Sequence, residues 1–93
     1  MERIVIDQNE FNGVHVATPN SNILLIQGKK GFLGCGYFKV EVADKMGDAA
    51  AIVTGVKNYK DMEGAKVVAV SAKARELGVT EGITGREALA LLA

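Results

Sequence analysis

The chain has one cysteine and one histidine, Cys35 and His15. A thiol beside an imidazole can be a nucleophile and its base, if the two lie within hydrogen-bond reach and the thiol pKa is lowered. Cys35 sits in Leu33-Gly34-Cys35-Gly36, where the glycines leave room for a substrate over the backbone. The structural alternative is that Cys35 shares a strand face with Leu33 and Tyr37. There a free cysteine acts as a small buried apolar residue. His15, between Val14 and Val16, reads as a surface or interface residue. One cysteine excludes an internal disulfide, and the His/Cys spacing of a metal site is missing.

A second group lies further along. Asp48 and Thr54-Gly55-Val56-Lys57-Asn58 bracket the apolar run Ala49–Thr54. Ligands of open α/β sheets bind beyond the carboxyl ends of strands, so Thr54, Lys57 and Asn58 could hold a small polar or anionic ligand, with Ser71 nearby. The alternative is ordinary turn chemistry, with Lys57 solvated. Gly28 to Gly36 (GKKGFLGCG) lacks the G-x-x-x-x-G-K-[ST] and G-x-G-x-x-G patterns, so it reads as a hairpin turn and a thin strand. Thr84-Gly85-Arg86 at a helix start offers free N–H groups and a guanidinium to an anion. Thr84 and Glu87 also fit a capping box, and Arg86 could instead meet a carboxylate across a subunit contact.

These residues need elements to position them. Glu2–Asp7 and Val14–Thr18 read as strands, with Gln8–Gly13 a polar turn between them. Asn22–Gln27 and Phe32–Phe38 read as a hairpin around Gly28-Lys29-Lys30-Gly31. If Gln27 pairs with Phe32, Ile26 faces Leu33 and Leu24 faces Cys35. Ile23, Leu25, Phe32, Gly34 and Gly36 then share the other face, and something must sit close over the two glycines. After Phe38 the spacing becomes helical. Lys39–Met46 is a helix stopped by Gly47, and Ala49–Thr54 a strand buried on both faces. Asn58 caps one turn, Lys66–Val70 is another strand, Ser71 caps a helix to Leu77, and Thr84 opens the last helix.

The chain of 93 residues suits one domain, and 48% hydrophobic content argues against disorder. Residues 1–30 read as an N-terminal β oligomerisation region and residues 31–93 as an α/β core. Eleven basic residues balance eleven acidic ones. That argues against nucleic acid as a partner and lowers the barrier to self-association. No apolar run approaches the roughly 20 residues of a membrane helix, and the start has no signal-peptide layout. A cytoplasmic protein is the expectation. The fold class is α+β: a two-layer sandwich, a mixed sheet with helices on one face, and an antiparallel N-terminal β region.

Four segments also match a family pattern. They are G-[FY]-L-x-C-G-Y at Gly31 to Tyr37, G-D-x-A-A-I-V-T-G-V at Gly47 to Val56, V-V-A-V-S at Val67 to Ser71, and G-[IM]-T-G-R-E-A-L at Gly82 to Leu89. In this order they resemble the YunC-like family, domain of unknown function 1805. The resemblance implies a two-layer α/β fold whose N-terminal β region serves tetramerisation. It implies no reaction.

The residues do not complete a catalytic set, and no cofactor is implied. The sequence therefore reads as a homo-oligomeric module, a tetramer assembled through its N-terminal strands. Its ligand-site candidates are Gly34, Gly36, Asp48, Thr54, Gly55, Lys57, Asn58 and Arg86. The alternative is a small enzyme with a pocket near Gly34-Cys35-Gly36 and Thr54-Gly55, with Cys35 as the catalytic candidate.

Overall fold

The computed structural model covers residues 1–93. It starts with a hairpin, β1 (Glu2–Ile6) against β2 (Asn9–Ala17), with Ile6 opposite Asn9. The turn is Asp7-Gln8, both at positive φ, 51° and 69°. Two left-handed residues match the twist of the strands they join, and aspartate tolerates that region better than most side chains. The expected polar turn over Gln8–Gly13 is thus corrected. Asn9–Gly13 is strand, with Phe11 buried while Glu10 and Asn12 face outward.

β3 (Asn22–Gln27) and β4 (Phe32–Gly34) pair as the alternation predicts, Gln27 with Phe32 and Ile26 with Leu33. β4 is shorter than expected. The chain leaves the sheet at Cys35 in a turn where the Phe38 N–H donates to the Cys35 carbonyl at 3.1 Å. That turn brings Phe38 back over Gly34, where a Cβ would stand 2.7 Å from Phe38 Cδ2. Phe38 meets Phe32 edge-on, centroids 5.8 Å apart. Tyr37 therefore does not share the Cys35 face; it stands exposed in the turn.

α1 (Val40–Met46) ends at Gly47, left-handed at φ 77°. It leads into β5 (Ala50–Ile52), buried on both faces and parallel to β4. α2 (Tyr59–Gly64) starts at Asn58, whose side chain accepts from the Asp61 N–H. β6 (Ala69–Val70) is shorter than the expected Lys66–Val70 strand, because Val67 exchanges backbone bonds with Ile83 and Gly82 instead. α3 (Ala72–Glu76) begins at Ser71, and α4 (Gly85–Leu92) begins with the expected capping box of Thr84 and Glu87.

The sheet runs in the order β1-β2-β3-β4-β5-β6, antiparallel except between β4 and β5. It is the mixed sheet of an α+β fold. On one face Phe11, Leu24, Ile26, Leu33 and Ala51 meet Met62 of α2, Ala74 of α3, and Ala88, Leu89 and Leu92 of α4 in a single buried core. α1 packs on β5. Buried Ala43, Ala50 and Ile52 lie outside that core, and register puts Ala50 and Ile52 on the side of Phe32 and Gly34. No helix is long and apolar enough to cross a membrane.

Candidate functional site

β4 and β5 are the only parallel neighbours in the sheet, so their carboxyl ends lie side by side. Beyond those ends the chain makes two turns, Cys35–Phe38 and Thr54–Val56. Between them opens a cleft of about 350 Å³, lined by Ser21, Asn22, Cys35, Gly36, Tyr37, Gly55 and Val56. Small-molecule sites occupy such strand ends and such volumes. The sequence candidates Cys35, Gly36 and Gly55 meet here. Thr54 adjoins them: its Cγ2 would lie 3.5 Å from a Cβ on Gly36.

Cys35 forms part of the cleft wall but is only 3% exposed. Its Sγ accepts the Leu24 N–H at 3.3 Å and faces the Asn22 carbonyl at 3.9 Å. The Cys35–His15 pair is not assembled, which corrects that expectation. Leu24 of β3 stands between them, opposite His15 on one side and bonded to the Cys35 N–H on the other. Neighbouring strands lie roughly 5 Å apart, so thiol and imidazole are two strand spacings apart. His15 instead hydrogen-bonds Asn22 Oδ1 at 2.7 Å and meets Tyr59 edge-on at 6.0 Å. Tyr59 lies over bare Gly13. Its hydroxyl is buried with no partner, and burial, helped by the charge of Glu2, raises its pKa.

The other candidates lie elsewhere. Gly34 is covered by Phe38. Asp48 borders a separate apolar groove with Phe32, Phe38, Val42 and Met46. Lys57 and Asn58 build the start of α2, the Lys57 N–H donating to Asp61 Oδ2 at 3.1 Å. Within the chain the Arg86 guanidinium grips Asp7 of the β1–β2 turn at 3.0 and 2.5 Å. That fork holds the Asp7 carboxyl below its ordinary pKa and raises that of Arg86. It also pins the left-handed turn to the start of α4.

A family model described as Domain of unknown function (DUF1805) matches residues 34–92. The chain belongs to this family. The match opens at the last residue of β4 and closes at the last of α4, so it takes in both turns of the cleft but not β1, β2 or β3. The uncharacterized protein YunC of Bacillus subtilis (strain 168) is 30% identical over 90 residues, 92% of this chain and 89% of that protein. A crystal structure of a protein of unknown function, TA1206 from Thermoplasma acidophilum, superposes with a TM-score of 0.93 at 35% identity. It covers 99% of this chain, and the chain covers 90% of it. Sequence reasoning missed two features of this DUF1805 site, Asn22 in the cleft and its bond to His15. His15 and Asn22 were assigned to different strands with no motif to join them; only the β2–β3 register brings them together.

Proposed function

We propose that this DUF1805 protein is a cytoplasmic, non-catalytic homo-oligomeric module, a tetramer assembled through its N-terminal strands, with a small polar or anionic ligand held in the cleft. One observation carries the assembly. The face of β1–β3 away from α2, α3 and α4 presents Val14, Val16, Ile23 and Leu25 as a contiguous apolar surface. Val14 lies opposite Leu25 and Val16 opposite Ile23. α1, on this side of the sheet, packs on β5 and leaves Val16 51% exposed and Val5 60% exposed.

A second copy of the chain is the occupant that fits. The apolar patch is bordered by polar groups, the Arg3–Glu10 ion pair with Asn12 and Gln27, as a protein interface is. The chain carries no net charge to oppose its own approach. A free, buried Cys35 suits a reducing compartment. Native mass spectrometry at micromolar concentration tests the proposal: the expected mass is a fourfold multiple of the 9.8 kDa chain, and a monomer contradicts it.

The alternative reading, a small enzyme using Cys35, draws on one observation: Cys35 is among the residues that line the cleft, with Gly36 and Gly55. Rapid labelling of the native protein by a thiol probe, lost in Cys35→Ala, would favour it. Labelling only after denaturation would remove it.

A further inference from the structure

We infer that the cleft is an oxyanion site in which Asn22 is the recognition side chain and His15 the positioning residue that aims it. This rests on the proposed role of the cleft as a ligand site and adds the ligand's chemistry, a carboxylate or phosphate group. Asn22 and His15 are diagonal neighbours across β3 and β2, His15 pairing with Leu24 and Asn22 with Ala17. The 2.7 Å bond occupies Asn22 Oδ1 with the His15 Nε2–H. The carboxamide NH2 of Asn22, a residue of the cleft lining, is thereby left as a pure donor with no acceptor in the chain.

The main chain adds donors of the same kind. The N–H groups of Gly36, Tyr37, Gly55 and Val56, all in the cleft wall, donate to no carbonyl of the protein. Gly36 and Gly55 leave that backbone approachable. A Cβ at Gly36 would touch only Thr54 Cγ2, and the space beside Gly55 is empty to 4 Å. No carboxylate lines the cleft to repel an anion. Unbonded N–H groups in two neighbouring turns at the ends of parallel strands offer donors to an oxyanion, and each charge-assisted bond is about twice as strong as a neutral one. A small anion of this class fits the volume of about 350 Å³.

The test is an amide titration of the native protein followed by 1H–15N spectra. The probes are acetate, its neutral isostere acetamide, and inorganic phosphate, at fixed ionic strength. Saturable shifts of the Gly36, Tyr37, Gly55 and Val56 amides and of the Asn22 side-chain NH2 are expected with an anion, at least about tenfold tighter than with acetamide. Whether acetate or phosphate binds more tightly names the source of the oxyanion. Asn22→Asp, which puts a carboxylate in place of the donor, should abolish the response. His15→Ala should weaken it and move the Asn22 NH2 signal, and His15→Gln, which restores a donor to Asn22 Oδ1, should rescue it. Equal response to acetamide would overturn the oxyanion inference while leaving the cleft a ligand site. No saturable shift with any of the three probes would overturn both. The wild-type comparison of acetate with acetamide stands even if a variant fails to fold, and molar mass measured on the same samples keeps the assembly proposal separate.

Discussion

The two faces of the sheet share strands and backbone bonds but have opposite surroundings. On one, Leu24, Ile26 and Leu33 are fully buried beneath α2 and α4. On the other, Val14, Ile23 and Leu25 stay half-buried and Val16 open. Because strand residues alternate between faces, one run such as Ile23-Leu24-Leu25-Ile26 serves both. Its continuous apolarity looks like the pattern of a strand covered on both sides, yet within one chain only one side is covered. The covered face therefore carries the fold, while the open face is apolar beyond what the fold of one chain uses.

Substitutions can break or sharpen that contrast. The largest effect is expected at Leu33, fully buried against α4. Leu33→Ala should cost about 2–5 kcal/mol in chemical denaturation. On the opposite face of the same sheet, Val16→Ala should cost less than about 1 kcal/mol when measured on the monomer. Equal losses at the two positions would erase the contrast.

Ser71 comes next. It is fully buried at the junction of β6 and α3, accepting the Ala50 N–H at 2.8 Å and donating to the Asp48 carbonyl at 2.9 Å. Ser71→Ala leaves both backbone groups without that partner and should cost about 1–3 kcal/mol, measured the same way. Tyr59 runs in the opposite direction. Its buried hydroxyl has no partner, so Tyr59→Phe should raise stability by about 1 kcal/mol, and a loss would mean that the hydroxyl is bonded in solution.

The smallest effect belongs to the turn that ties the two regions together. Arg86 lowers the Asp7 pKa from its usual 3.8, chiefly through their hydrogen bonds. A depressed folded pKa means that the stabilisation is present above 3.8 and is lost as pH falls through the lower folded value. Both side chains are more than half exposed, so the contribution is modest. The gap in thermal unfolding between wild type and Asp7→Asn at pH 7 should shrink as the pH falls below 3.8; a gap that does not change with pH would disprove it.

The local chemistry of the chain was legible in its sequence, and the long-range chemistry was not. The Thr84–Glu87 capping box, the Asn58 and Ser71 caps, and the Gly28–Gly31 hairpin each depend on neighbours a few residues apart. The second role of Ser71, holding the Ala50 N–H, spans 21 residues, and the Arg86–Asp7 fork spans 79. No spacing rule reaches that far. The glycines show the same divide. Gly34 and Gly36 both signalled that something comes close, but Phe38 fills the first place and leaves the second open. The path of one turn separates them. Of the candidate site, Gly36 and Gly55 were legible as bare backbone beside strands, whereas Asn22 and His15 were not legible as a pair.

The most direct test of the account is the molar mass, by light scattering on a sizing column, of wild type beside Val14→Lys/Val16→Lys. Both substitutions lie on the open face, away from the core beneath the helices. The account predicts that wild type elutes as an oligomer and that the lysine variant, with an unchanged circular dichroism spectrum, falls to the 9.8 kDa monomer. A wild type already monomeric at micromolar concentration, or a variant that remains fully assembled, would contradict it.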